Sequence, residues 1–248
     1  MKTLYTLTAA MLMITAIPAL AKEGFTKPPP ISDADARLEF CTTMSKSAML
    51  LADQRQKGIS IDEILGRIDW AEEETSDEKK GMLAATIRMI VFVYEDDKLV
   101  TIKSKNDVVT PKRFSDRFLV RCLEDNKFAD PDSVPVSATS IRVCRFFSRA
   151  GTKLFTDYQE GISLGIVLTS IKENAREMCK EETSRESEAA EGCAKNAEGF
   201  MASIAMKLYR DGPDFEPLPG VAGTDVARYM GDQIGTSCML KFIEKPKK

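Results

Sequence analysis

Six cysteines are the residues of this chain whose type and spacing say most about its chemistry. A thiolate can act as a nucleophile or a metal ligand, whereas an oxidised cysteine does neither. An even number of cysteines in an exported chain is typical of a disulfide framework. We therefore predict that all six are disulfide-bonded, and they are Cys41, Cys122, Cys144, Cys179, Cys193 and Cys238.

Histidine is absent from the sequence. Its absence removes the commonest general base, the usual zinc ligand and every catalytic triad that contains an imidazole. The segment GVAGTD at 220–225 precedes a predicted helix and has the glycines of an anion-binding turn. We interpret it as a flexible turn. The sequence predicts no catalytic residue, no cofactor and no metal site, and hence a protein that is not an enzyme.

Two enzymatic interpretations stay open as alternatives. Ser76 and Lys79 form a Ser-x-x-Lys match, but they are better explained as a helix N-cap and a solvated side chain. Pairs of carboxylates can hydrolyse glycosidic bonds, and adjacent acids on a helix usually face water instead. The acids available for such a pair are Glu72, Glu73, Glu74, Asp96 and Asp97.

The N-terminus has the three parts of a secretory signal peptide. Lys2 is basic, the stretch 4–17 is largely apolar, and Ala19 and Ala21 follow Pro18 as small residues at a cleavage site. The apolar run is short for a helix that spans a bilayer, which needs ~20 residues. We predict cleavage after Ala21 and a periplasmic or secreted protein.

The charge balance argues against nucleic acid as a partner. The sequence has 35 Lys and Arg against 38 Asp and Glu, a net charge of −3, and no basic stripe with interleaved aromatic residues. The most apolar later stretch, 82–94, is short and contains Arg88. We therefore expect neither nucleic-acid binding nor stable insertion into a membrane.

An internal repeat organises the rest of the chain. Residues 41–68 align without a gap on residues 144–171, and nine of the 28 positions are identical. The identical positions include the cysteines that open the two segments and the Gly-Ile-Ser at 58–60 and 161–163. A repeat of this length indicates two copies of one structural unit.

The repeat divides the chain into five segments. After the signal peptide at 1–21 comes a proline-rich, extended leader at 22–31. The first unit spans 32–126, the linker 127–137 contains two prolines, and the second unit spans 138–248. We predict an all-α fold, a tandem duplication of a disulfide-bonded unit of roughly four helices.

Capping residues predict where the helices of the first unit begin and end. Ser32 is expected to cap a helix that runs to about Lys57, where Gly58 ends it. Leu38, Cys41, Met44, Met49, Leu50 and Leu51 would form its apolar face.

Three further helices complete the first unit. Ser60 and Glu63 match a capping box, and Thr110-Pro111 matches the start of the fourth helix. The third helix is expected to begin near Ser76. Its stretch 80–95 is rich in β-branched residues and is compatible with a hairpin, but the matching stretch of the second copy favours a helix.

The repeat also predicts how the cysteines pair. Each unit has one cysteine in its first helix and one in its last, which predicts the bonds Cys41–Cys122 and Cys144–Cys238. Cys179 and Cys193 remain, in or beside residues that only the second copy has. They are expected to pair and to join the second and third helices of that copy.

An exported helical unit with one cysteine near each end resembles the small periplasmic acid-stress chaperones. It is also similar to the all-α immunity proteins that neutralise secreted bacterial toxins. The resemblance covers only the cysteine-and-helix pattern of each half, Cys41 to Cys122 and Cys144 to Cys238, and no functional residue can be transferred. It implies that the partner is another protein.

These observations favour a non-catalytic protein-binding module of the immunity, inhibitor or chaperone type. Such a module is expected to expose apolar patches, above all in a groove between the two units. Two alternatives remain: a structural envelope protein without a discrete site, and a histidine-free carboxylate enzyme that acts on envelope polymers. The sequence contains no signal for the oligomeric state.

Overall fold

The computed structural model describes residue 29 and residues 32–68, 77–100, 109–125, 138–183, 188–213 and 226–243. Within these residues every regular element is helical and no strand occurs, which confirms the predicted all-α class. The eight α-helices are α1 Ala34–Gln56, α2 Ile61–Gly66, α3 Asp77–Glu95, α4 Pro111–Glu124, α5 Ala138–Gln159, α6 Leu164–Thr183, α7 Glu188–Asp211 and α8 Val226–Ile243.

Several predicted features lie outside the described residues. They are the signal peptide at 1–21, nearly all of the leader, the linker at 127–137 and the turn at 220–225. Ser76, the side chain of Lys79 and the three acids at 72–74 also lie outside them. These features therefore remain predictions.

Helix α1 begins one residue later than expected. Its N-cap is Asp33, whose Oδ1 accepts a hydrogen bond from the backbone N–H of Ala36 at 3.1 Å. The prediction of Ser32 as the cap is thus wrong by one residue. A carboxylate at this position satisfies a free backbone donor and is also attracted by the positive end of the helix dipole.

The buried face of α1 differs from the expected apolar stripe. Leu38 and Leu50 are 51% and 45% exposed, so their assignment to the core is wrong. Arg37 and Arg55 are buried instead. They lie on the same face of α1 as Cys41, along which buried positions recur every three or four residues. The Arg37 guanidinium donates hydrogen bonds to carbonyl oxygens at the end of α4.

The turn between α1 and α2 forms as predicted. Gly58 has a φ of +84°, a left-handed conformation that glycine adopts without strain. The Ser60 hydroxyl accepts a hydrogen bond from the Glu63 N–H, and the Glu63 carboxylate accepts one from the Ser60 N–H, which completes the capping box. The Tyr94 hydroxyl donates to the Ile59 carbonyl at 2.6 Å and holds α3 against this turn.

Residues 80–95 form a helix, as predicted, and not a hairpin. They lie within α3, which buries Ile87, Ile90 and Tyr94 on the side that faces the core. A short 3-10 turn, Asp97–Leu99, follows the helix. Thr110 caps α4 and Pro111 occupies its first turn, as the sequence predicts.

Three disulfides join pairs of helices in the predicted combinations. Cys41–Cys122 joins α1 to α4, Cys144–Cys238 joins α5 to α8, and Cys179–Cys193 joins α6 to α7. The Cα atoms of the pairs are 5.7, 5.4 and 5.9 Å apart, as disulfide geometry requires. These are also the three most extensive helix–helix contacts of the described residues.

The two halves of the chain pack against each other. Helix α2 lies against α5 and α8, and α3 also contacts α8. Gly235 makes this close approach possible, because a Cβ atom there would lie 2.9 Å from the Ser148 Cβ and 3.0 Å from the Ile61 Cγ2. Both halves therefore contribute to one continuous core.

Candidate functional site

An apolar pocket opens to solvent in the second half of the molecule, where α5, α6, α7 and α8 meet. Its volume is about 320 Å³, within the range of ligand pockets in proteins. Apolar side chains dominate its wall, namely Val143, Phe147, Met178, Ala197, Phe200 and Phe242. Asn196 and Lys241 are its polar side chains, and both are exposed.

Disulfides and ring contacts hold the pocket in shape. Cys193 and Cys238, one from each disulfide of the second half, form part of its wall. Phe147 of α5 and Phe200 of α7 meet edge to face, with ring centroids 5.1 Å apart and an angle of 71° between the rings. This geometry is the one that aromatic pairs prefer. The Lys241 ammonium lies 4.5 Å from the centroid of the Phe200 ring.

The cleft between the halves has a different character. Its volume is about 610 Å³, and its wall carries charges of both signs, with Asp62 and Glu63 of α2 opposite Lys153 and Asp157 of α5. Lys153 pairs with Asp157 at 2.8 Å within α5. This cleft is thus lined largely by charged and polar side chains, and the apolar groove expected between the units stays a prediction.

Direct polar contacts connect the halves around this cleft. Arg145 of α5 pairs with Asp62 of α2 at 2.8 Å. The Asp232 carboxylate of α8, which is only 5% exposed, accepts a hydrogen bond from the Ile61 N–H at 2.7 Å. The Arg228 guanidinium donates to the Gly58 carbonyl.

Burial alters the ionisation of this junction. It raises the pKa of Asp232 to about 7, although the hydrogen bond from Ile61 and the charges of Arg55 and Arg228 oppose this change. Burial also lowers the pKa of Arg55, whose Nη1 donates to the carbonyl oxygens of Val93 at 2.6 Å and Asp96 at 2.8 Å.

The two described acids of the carboxylate alternative make structural contacts. The Asp96 carboxylate caps the 3-10 turn through the Lys98 N–H and pairs with Arg117 at 2.9 Å. The Asp97 carboxylate accepts hydrogen bonds from the Tyr229 hydroxyl at 2.6 Å and from Gln233 at 3.0 Å. Asp97 thereby joins the first half to α8.

Sequence reasoning missed the pocket and the buried polar junction. The pocket wall comes from four helices, and its residues are spread from 143 to 242. No local motif marks such a set. Asp232 stands in a helix without a clear apolar stripe, and only the packing of α2 onto α8 places its carboxylate against a backbone donor.

The described part of the chain contains no cluster of three or more His, Cys, Asp or Glu residues with the geometry of a metal site. None of its helices combines the length and the apolar character needed to cross a bilayer. Comparison of the sequence with protein-family models and curated proteins, and of the fold with solved structures, finds no significant match.

Proposed function

We propose that this chain is an exported, non-catalytic helical protein that binds another protein. The observation that carries the proposal is the solvent-open apolar pocket between α5, α6, α7 and α8. The proposed role of this pocket is to bind an apolar side chain of the partner. Buried aromatic and aliphatic anchors that fill such pockets supply most of the free energy of many protein–protein interfaces.

The rigidity of the pocket supports this role. Cys144–Cys238 and Cys179–Cys193 constrain the four helices that form the wall. A wall that is already ordered loses little conformational entropy when a partner binds. The three disulfides are also consistent with an extracytoplasmic protein, because such bonds persist in oxidising compartments.

We further propose that the two halves arose by duplication of one disulfide-bonded unit. The Tyr209 hydroxyl donates to the Ile162 carbonyl at 2.6 Å, as Tyr94 does to Ile59 at the same distance. Gly161 has a φ of +74° at the position equivalent to Gly58. Both turns also share the same three backbone hydrogen bonds from their closing residues.

Under this proposal the second copy carries the binding role. Its second helix, α6, has 20 residues, whereas the equivalent helix of the first copy, α2, has six. The longer α6 pairs with α7 through Cys179–Cys193, a bond without a counterpart in the first copy. The pocket forms where the pair of helices α6 and α7 meets α5 and α8.

Site-specific photo-crosslinking tests the proposed function. p-Benzoylphenylalanine replaces Gly199 beside the pocket in one sample and Met206 in a control sample. Both residues are exposed and lie on α7 outside the pocket wall, but only Gly199 is next to it, one position from Phe200 and with no atom within 4 Å of an added Cβ. The oxidised protein is irradiated in envelope extract of its own host.

We expect one stoichiometric protein adduct from position 199 and none from position 206. A purely structural envelope protein would yield the same diffuse set of adducts from both positions. Failure to form any specific adduct at position 199 would refute the proposed binding role of this pocket.

A further inference from the structure

We infer that the group entering the pocket is an apolar side chain with a negative charge beside it. The partner would present an aromatic or aliphatic anchor next to an aspartate or glutamate. This inference rests on the proposed function, which concerns the pocket alone, and adds the chemistry of the partner. It follows from the placement of Lys241 on an otherwise apolar wall.

The interior of the pocket suits an uncharged group. Phe147 and Met178 are 9% exposed and Ala197 is 4% exposed, so the floor consists of carbon and sulfur. A charged group on this floor would lose its hydration without gaining a partner, at a large cost in free energy. Only an apolar side chain can fill the space favourably.

The rim of the pocket suits an anion. Lys241 is the one charged residue of the described pocket wall, and its ammonium lies 4.5 Å from the Phe200 centroid. The attraction between a cation and the face of an aromatic ring favours this position of the ammonium over others in solvent. The ammonium therefore lies beside the position that an anion would take if the apolar group attached to that anion filled the pocket.

The charge of Lys241 is available to a partner. Among the ion pairs of the described residues, none involves Lys241, whereas Lys153 and Lys195 each pair with an acid of their own helix. Because Lys241 is exposed, water and salt weaken its attraction for an anion. The charge of Lys241 should therefore raise the affinity for an anionic apolar ligand by about 2- to 5-fold.

Two dyes with one aromatic framework separate the apolar and the charged contributions. 1-Anilinonaphthalene-8-sulfonate carries a negative charge, and N-phenyl-1-naphthylamine is its neutral counterpart. Each is titrated into the oxidised protein and followed by fluorescence. Competition between the two dyes shows whether they occupy one site.

Four variants are titrated in parallel, with circular dichroism as the check on folding. Lys241→Gln removes the charge, and Lys241→Arg keeps it. Asn196→Phe obstructs the pocket from its exposed rim, and Met206→Phe adds the same ring at an exposed site elsewhere on α7.

We expect Lys241→Gln to weaken the binding of the anionic dye about 2- to 5-fold and to leave the affinity of the neutral dye unchanged. Lys241→Arg should bind both dyes as the parent protein does. Asn196→Phe should weaken both dyes, and Met206→Phe should weaken neither. In the crosslinked partner, an acidic residue should lie within two positions of the apolar residue that enters the pocket.

The outcomes that overturn the two proposals are different. If Lys241→Gln changes the affinity for both dyes equally, or for neither, the charge inference is wrong and the apolar pocket remains. If Asn196→Phe affects neither dye, or if neither dye binds, the pocket is not a binding site. In that case the proposed function fails together with the inference.

Discussion

The Asp232 carboxylate is the residue whose environment departs most from that of an ordinary acid. It is buried at the contact between α8 and α2, with Ile61 as its backbone donor. Its pKa is about 7 in the folded protein, against ~3.9 in an unfolded chain. Between these values the folded state holds a proton that the unfolded state has lost.

The sign of the resulting pH dependence follows from linkage. Stability rises with pH only where the unfolded state binds more protons, and here the folded state binds more. The contribution of Asp232 therefore lowers the free energy of unfolding as the pH rises from about 4 to about 7, and levels off above 7. The full effect is on the order of 4 kcal/mol, since the two pKa values differ by about 3.

Asp232→Asn tests this contribution. The amide keeps an oxygen that accepts the Ile61 N–H and cannot ionise, so the decrease between pH 4 and pH 7 should largely disappear. At pH 8 the variant should exceed the parent in stability by a few kcal/mol. Urea unfolding from pH 4 to pH 8 measures both effects. Asp53→Asn, at an exposed ion pair with Lys57, is the control and should leave the pH profile unchanged.

The tyrosines that hold the two turns provide a matched pair of substitutions. Tyr94→Phe and Tyr209→Phe each remove a 2.6 Å hydrogen bond to a carbonyl oxygen. We expect a loss of about 1–2 kcal/mol for Tyr94 and about half of that for Tyr209. The difference arises because Tyr94 is fully buried and Tyr209 only partly, so water replaces the lost donor more easily at Ile162. Equal losses by urea unfolding would contradict this account.

At the scale of elements, the turns between helices depend on the backbone conformation of single residues. Gly161 ends α5 with a φ of +74°, and a Cβ atom there would meet nothing within 4 Å. The cost of adding a side chain is therefore conformational and not steric. The turn therefore requires glycine at 161 for its backbone conformation and not for lack of space around the residue.

Gly161→Ala should destabilise the protein by about 1 kcal/mol, the cost of placing a non-glycine residue in the left-handed region. Gly199→Ala is the matched control, in the middle of α7, with equally open surroundings. It should stabilise the protein by up to ~1 kcal/mol, because alanine favours a helix more than glycine does. Thermal unfolding measures both, and changes of the same sign would contradict the assignment of strain to the turn.

At the scale of the whole molecule, disulfides and a shared core make the halves interdependent. The bonds Cys41–Cys122 and Cys144–Cys238 close loops of 81 and 94 residues. In the chain-entropy model such loops contribute ~4–5 kcal/mol each, and the 14-residue loop of Cys179–Cys193 contributes ~3 kcal/mol. Their sum is comparable with the total stability of a typical domain.

Reduction of the disulfides should therefore unfold both halves together with their helicity. The contacts of α2 and α3 with the second half predict one transition and not two. Circular dichroism and thermal melts with and without reductant test this expectation. An unchanged melting temperature in reductant would show that the covalent framework does not stabilise the fold.

Local signals in the sequence predicted helix starts and turns of this protein, but they did not predict its candidate site. Caps at Ser60 and Thr110 and the glycine at 58 predicted real elements, whereas the helix at 80–95 was predicted from the matching stretch of the second copy. They succeed because caps and turns depend on residues a few positions apart. The internal repeat predicted the cysteine pairs for a different reason, since equivalent cysteines in two copies leave one consistent arrangement.

The sequence by itself thus determined the helical class, several helix boundaries of the first half and the three disulfides. Only the tertiary structure decided that Leu38 is exposed while Arg55 and Asp232 are buried, and that an apolar pocket opens where four helices of the second half meet. The physical reason is that burial depends on which helices meet. The contacts of Asp232 with Ile61 and of Phe147 with Phe200 join residues 171 and 53 positions apart, and no local pattern in the chain encodes such distances.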